Sequence, residues 1–306
     1  MPHAILGAGG VGGFVGAVLA GAGEQVTLLL RPETYAVHPD TLSLESPLGN
    51  ITAPCRRAAA LEEDVDVLWV ATKATQLEAA LGAVPVPRRA RMVVPLLNGV
   101  DHVARLRSRF DARRVVPGTI AAELERTSPG QIVLRSPFAR FGFAAAGRDV
   151  LAPVAAILTR FGCATAFESD ELTLLWRKLV LLAPMALTTT ASGMAVGELR
   201  AHPEWGPRFE AAAREASAVG HACGAAVNAE ETLRTLRGFP DTLRSSMQKD
   251  VAAGRPPELD AIGGPIVRGG RAHGIAVAMT AALMVAIQER GGQRPSVIGR
   301  ALTDDR

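Results

Sequence analysis

Seven residues near the start of the chain, Gly7-Ala8-Gly9-Gly10-Val11-Gly12-Gly13, constrain its fold more than any other stretch. Gly7, Gly9 and Gly12 have the spacing GxGxxG, and they follow an apolar run at residues 3–6 and open a helical pattern. In that setting each glycine has its own task. The first permits a tight turn, the second lets the backbone approach a pyrophosphate, and the third allows the helix to pack closely. Free N–H groups at the helix start then face the anion. The bare string is common in chains rich in glycine and alanine. Here a strand, a helix, a Gly21-Ala22-Gly23 stop and a second strand pattern at 25–30 follow in order, which gives the motif its weight.

An NAD-type site would end that second strand with Asp or Glu, to hold the ribose hydroxyls. This chain reads Val26-Thr27-Leu28-Leu29-Leu30 and then Arg31. A guanidinium at that tip pairs with a 2′-phosphate through charge-assisted hydrogen bonds worth about 1.5–3 kcal/mol, so NADPH is the expected cofactor. The plainer reading is an exposed arginine at a strand end.

The strand patterns fall at 3–6, 25–30, 65–71, 92–96, 115–118, 131–135, 139–143 and 163–168, alternating with helical ones as βαβ units do. From residue 171 the pattern is helical throughout: 171–194, 203–223, 228–236, 242–252, 257–272 and 276–290. A nucleotide-binding α/β half over 1–169 is therefore expected to precede an all-helical half over 170–306, with a frayed polar tail after Gly291.

Composition removes several classes of function. Aromatic residues are only 4%, the formal charge is +3, and the arginine pairs (Arg56 with Arg57, Arg88 with Arg89, Arg113 with Arg114) are scattered, so they read as solvated surface and no nucleic-acid partner is expected. Cysteine appears only at 55, 163 and 223, which suggests neither a disulfide framework nor a zinc site, and a cytoplasmic location is the default. The six histidines show no ligand spacing, so no metal is expected. Residues 179–196 form an apolar run, but Pro184, the Thr188–Thr190 triplet and Ser192 mark it as a buried helix rather than a membrane span.

Lysine is rare. Of 33 basic residues only 73, 178 and 249 are lysine, and an ammonium, unlike a guanidinium, can be tuned by burial to give up its proton. Lys249 lies in a charged context beside Asp250 and reads as surface. Lys178 is flanked one helical turn away by Leu174, Leu175, Leu181 and Leu182, so its side chain starts inside an apolar face. Such a lysine either snorkels outward or reaches a dry cleft, where it can polarise a carbonyl and protonate the alkoxide as hydride arrives. Lys73 follows a parallel strand and Asn98 ends the next one, so both reach the carboxyl edge of the sheet, where open α/β folds bind ligands. Asn98-Gly99 also reads as a turn, and both readings can hold. Glu258, after Pro256 and Pro257, complements a helix dipole, and Ser245 and Ser246 precede it.

Taken together, the GAGGVGG start, the lysine in TKATQ, LLNGV, the LWRKL helix, SSMQKD and the PELDAIGG stretch leading into GRAHGI resemble the ketopantoate reductase family over nearly the whole chain. The resemblance implies an N-terminal Rossmann domain, a C-terminal helical domain of the phosphogluconate dehydrogenase type, and NADPH-dependent reduction of ketopantoate to pantoate in pantothenate biosynthesis. It implies Lys178 as general acid and Glu258 as the carboxylate that orients it. It also implies Ser246 as partner of the substrate carboxylate, with Lys73 and Asn98 near cofactor and substrate. Four positions depart from the family pattern: Leu182, Ala186, Val196 and Leu243 stand where it carries asparagine. That thinned polar lining leaves open a bulkier or more apolar oxoacid, because a lost hydrogen bond to substrate changes discrimination by orders of magnitude. A non-catalytic NADP(H) sensor is the alternative from another class; the coexistence of Lys178, Ser246 and Glu258 speaks against it. A homodimer is compatible with the sequence, which does not itself fix the assembly.

Overall fold

Short runs rich in valine, isoleucine and leucine become strands, and the computed structural model, which describes residues 1–290, joins them through helices on both faces. In chain order the first unit, Met1–Leu175, contains β1 (Pro2–Leu6), α1 (Gly10–Gly21), β2 (Gln25–Leu29), α2 (Pro32–Tyr35), β3 (Thr41–Glu45), β4 (Ile51–Pro54) and β5 (Arg56–Ala58). It continues with β6 (Val65–Val70), α3 (Leu77–Leu81), β7 (Ala90–Pro95), α4 (His102–Arg107), β8 (Gly118–Ala121), β9 (Leu124–Ser128), β10 (Gln131–Leu134), β11 (Arg140–Ala144), α5 (Arg148–Arg160) and β12 (Ala164–Glu168). The main sheet has the order β5-β2-β1-β6-β7 and is parallel throughout. Strand order reverses between β1 and β6, which makes the carboxyl ends of that pair the topological switch point. Two smaller sheets, β4-β3-β10-β9 and β12-β11-β8, complete the unit.

Alternation along the central strands divides their side chains between two cores. Ile5, Leu28, Val67, Trp69 and Val94 pack with Phe14 and Leu19 of α1 and with Leu151 and Val154 of α5. Ala4, Leu6, Leu29, Leu68, Val70 and Val93 pack on the other face with Leu77 and Leu81 of α3 and with Val103 and Leu106 of α4. A parallel sheet covered on both faces needs strands that are apolar at nearly every position, as these are. Each large side chain so buried contributes about 1.5–3 kcal/mol.

The second compact unit begins at Trp176, within α6 (Glu171–Ser192), and its described residues are helical: α7 (Val196–Ala201), α8 (Trp205–Ala222), α9 (Ala229–Arg237), α10 (Ser246–Ala252), α11 (Leu259–His273) and α12 (Ala278–Arg290). Helix α8 packs against α7, α9, α11 and α12. Phe209 and Ala213 of α8 meet Leu233 and Leu236 of α9, with Leu181 and Met185 of α6 against them. By length and hydropathy α6 could cross a membrane, yet 72% of its most apolar window is buried. Two of its buried threonines are satisfied within the helix, Thr188 Oγ1 donating to the Pro184 carbonyl at 2.6 Å and Thr189 Oγ1 to that of Met185 at 2.8 Å.

Several element expectations shift. The strand expected at 115–118 instead runs over Gly118–Ala121, because Pro117 has no N–H to give a ladder; Val115 keeps one isolated bridge to Val93. The helix expected from 242 starts at Ser246, and that expected from 203 starts at Trp205 after a separate short helix, α7. Strands β3, β4, β5 and β9 were not foreseen. Arg57 is not solvated surface: it is partly buried, lies over the Tyr35 ring, pairs with Asp40 and donates to the carbonyls of Tyr35 (3.0 Å) and His38 (2.5 Å). The tail after Gly291 lies outside the described residues.

Candidate active site

Each glycine of the first turn has a distinct physical constraint. Gly7 has φ of +100°, and a Cβ there would stand 2.7 Å from the Thr72 amide nitrogen. A Cβ on Gly12 would lie 2.2 Å from the Gly7 carbonyl oxygen and 2.8 Å from Cγ2 of Ile5, so α1 can close on β1 only through glycine. Gly9 differs. It has ordinary extended angles as N-cap of α1, and a Cβ on it would meet nothing within 4 Å. Neither backbone nor packing demands glycine there, so the open space in front of it is what a diphosphate backbone would need. The cradle therefore fits a dinucleotide.

The Ala71–Thr72 backbone that touches Gly7 leads directly into Lys73, which precedes the short turn Ala74–Gln76. Ladder bonds run level across the strand ends, from Ala71 N to Leu6 O and from Leu96 N to Val70 O, both 2.8 Å. Lys73 follows β6 and Asn98 follows β7, so both stand at the same edge as the cradle, as expected for that edge. Gly99 has φ of +86°, so Asn98 also opens the turn read from the sequence. Arg31 lies just beyond β2 as N-cap of α2; its side chain is 68% exposed, with a loose contact from Nε to Glu33 Oε1 at 3.7 Å.

In the second unit Lys178 and Glu258 form an electrostatic pair. Burial pulls the Lys178 ammonium from 10.5 down to about 8, while the Glu258 carboxylate partly opposes that fall. Glu258 is only 5% exposed. It is the N-cap residue of α11, yet its side chain does not cap that helix. Its carboxylate is thus committed to the interior, beyond the dipole complement read from the sequence.

Ser246 is exposed and is the first residue of α10. Ser245 before it is buried; its Oγ accepts the Gln248 N–H at 3.0 Å and lies 2.8 Å from Thr189 Oγ1 of α6. Gln248 in turn donates through Nε2 to the Met194 carbonyl at 3.2 Å. Sequence reasoning passed over Ser245, Thr189 and Gln248 as functional supports, although Ser245-Ser246-Met247-Gln248 carries the S-x-x-Q pattern of a helix start. Of the four apolar positions, Leu182 and Ala186 follow Lys178 at one-turn intervals on α6, and Ala186 is fully buried. Val196 and Leu243 are neighbours, the Val196 N–H donating to the Leu243 carbonyl at 3.1 Å. Among the described residues no group of three His, Cys, Asp or Glu is placed to hold a metal.

Fold and cradle define a Rossmann-type α/β unit followed by a helical one that carries a desolvated lysine and carboxylate. Comparison with known proteins gives the family. The family described as ketopantoate reductase PanE/ApbA matches residues 3–145, and its C-terminal counterpart matches residues 171–291. The 2-dehydropantoate 2-reductase of Caulobacter vibrioides is 32% identical over 297 residues, covering 92% of this chain and 97% of that protein. Among solved structures, a PanE/ApbA family ketopantoate reductase from Ralstonia eutropha superposes with a TM-score of 0.84 at 24% identity, covering 95% of this chain and 99% of the other. A D-mandelate dehydrogenase with NADH and anilino(oxo)acetate gives the same TM-score at 22% identity, again over 95% and 99%. This chain belongs to the ketopantoate reductase PanE/ApbA family.

Proposed function

We propose that the protein uses NADPH to reduce a 2-oxo acid to the corresponding 2-hydroxy acid, with ketopantoate to pantoate as the family's reaction and Lys178 as proton donor. The observation that carries this reading is the Lys178 ammonium, brought to about 8 by burial beside a buried carboxylate. An ammonium so tuned holds its proton at neutral pH and can still release it. Gly7, Gly9 and Gly12 would hold the pyrophosphate, and Arg31 the 2′-phosphate. When bound, the reduced nicotinamide supplies the hydride. As the carbonyl carbon gains that hydride, the π pair moves onto oxygen, and the Lys178 ammonium stabilises the charge and then passes its proton to it. Glu258 keeps the lysine protonated until then. The Ser246 hydroxyl would hydrogen-bond the substrate carboxylate, and Lys73 and Asn98 would orient the cofactor and substrate at the edge of the sheet. Residues 1–169 would form the cofactor domain and 170–306 the substrate domain, in a small-molecule enzyme of the cytoplasm.

A second reading of the substrate rests on a specific observation. Leu182 and Ala186 follow Lys178 along α6 where the family carries asparagine, so a bulkier or more apolar 2-oxo acid is the alternative substrate. The test is NADPH oxidation by the purified chain over a panel that includes ketopantoate and branched and aromatic 2-oxo acids. Replacing Lys178 with Ala should lower turnover by roughly 10²–10⁴-fold, the usual worth of a positioned acid. Retained turnover would reject Lys178 as donor, and a chain that binds NADPH but reduces nothing would be a sensor. Arg31→Ala should raise the KM for NADPH far more than that for NADH; equal effects would remove the phosphate role.

A further inference from the structure

We infer a second anion-binding site on the first unit, at the sheet edge opposite the glycine cradle, suited to a phosphorylated small molecule. The strands β1, β6 and β7 begin at Pro2, Val65 and Ala90, and because all are parallel their starting ends share one edge. Strands of five or six residues put that edge roughly 15–20 Å from the cradle, at about 3.3 Å per residue. A cavity of about 320 Å³ opens there, and four of its lining residues are Arg88, Arg89, Arg91 and Arg114. Arg88, Arg89 and Arg91 lie together at the start of β7, and the parallel bridge of Val115 to Val93 brings Arg114, more than twenty residues on, alongside them.

Charge and geometry in this cavity favour an anion. Asp64 and Asp66 are the only acids among its lining residues, so four guanidinium groups face two carboxylates. The two ion pairs are loose, Arg89 Nη1 to Asp64 Oδ1 at 3.7 Å and Arg91 Nη1 to Asp66 Oδ1 at 3.6 Å, and Asp64 is 88% exposed. Both arginines therefore keep donors for another acceptor. Arg114 is pinned, its Nη1 donating to the carbonyls of Arg88 (2.9 Å) and Ala90 (3.2 Å), which leaves its remaining nitrogens oriented. The Arg88 guanidinium makes no ion pair among the described residues. Guanidinium forks match phosphate oxygens two at a time, and a multivalent phosphate would relieve the mutual repulsion of four clustered cations. The volume suits a diphosphate with a sugar attached, and no aromatic side chain lines the cavity to stack the bases of a nucleic acid.

The test is calorimetric titration of the full chain with inorganic pyrophosphate and, separately, with ADP, in the presence of saturating NADP⁺ so that the cradle is occupied. One saturable site per chain is expected. Its affinity should fall about tenfold or more in Arg88→Glu and in Arg91→Gln, the loss of a charge-assisted phosphate contact, and should weaken with added salt. Arg126→Glu makes the same change of net charge as Arg88→Glu on the exposed strand β9, outside the cavity, and should leave the affinity unchanged. Tighter binding of ADP than of pyrophosphate would assign the ligand to nucleotides; equal binding would assign it to the phosphates alone. NADPH oxidation by Arg88→Glu should match that of the unaltered chain, which separates this site from the proposed active site. Absence of saturable binding with the cradle filled, unchanged affinity in both cavity variants, or equal weakening by Arg126→Glu would overturn the site.

Discussion

A methyl group added at Gly9 and one added at Gly12 would meet opposite fates, and the difference separates ligand binding from packing within three residues. Gly12→Ala drives a Cβ onto the Gly7 carbonyl, a backbone atom that cannot step aside, and should cost roughly 1–3 kcal/mol or more of stability despite the better helix propensity of alanine. Gly9→Ala should melt close to the unaltered protein and instead raise the KM for NADPH. Thermal unfolding and cofactor titration of the two variants check this, and equal melting losses would disprove it. Lys178 gives the pH prediction. Its acid form predominates below about 8, so reduction should slow as pH rises through about 8. Glu258→Gln removes the charge that raises this value, so the basic limb of the kcat/KM profile should move to lower pH; a limb that stays in place would assign it to another group. Stability carries the opposite sign. Between about 8 and 10.5 the unfolded chain holds the proton that the folded chain has released, so the Lys178 contribution to stability rises with pH across that window and is least favourable below it. The lysine and the three glycines could be read from sequence because each is an unusual residue for its surroundings. The burial of Glu258 could not, since a glutamate after two prolines looks the same whether its carboxylate faces water or the interior.

At the level of single elements, the start of α10 shows how a neighbouring residue can matter more than the one noticed first. Ser246 drew attention as a substrate contact, but Ser245 sets where the helix begins and ties it to Thr189 of α6. Ser245→Ala should cost about 1–2 kcal/mol as a lost N-cap with a buried partner, and should raise the KM for the oxoacid with little change in that for NADPH. Ser245→Thr keeps an oxygen in place and should restore both; a variant that loses stability while leaving substrate KM untouched would make the serine purely structural. Other elements were hidden for local reasons. Strand β9, Leu124–Ser128, has no buried residue, so no apolar alternation marks it, and β4 ends in proline. The core strands were legible because a sheet covered on both faces leaves almost no polar position to blur the pattern.

Across the whole molecule, the succession of α/β and then helical structure was readable because short, nearly unbroken apolar runs alternate with helical patterns up to about residue 168, and helical periodicity alone follows. What sequence order conceals is adjacency. The net charge of +3 gives no sign that Arg88, Arg91 and Arg114 share one hollow, nor that Val196 lies beside Leu243. Such neighbours depend on which strand or loop comes to lie next to which. The contact between Gly7 and the Thr72 amide has a practical consequence for engineering. The two loops fit each other like mating castings, so neither can be recast alone, and a designer putting the proposed coenzyme preference to the test would leave both untouched and work at the rim, on Arg31, whose side chain stands in water and constrains no neighbouring backbone.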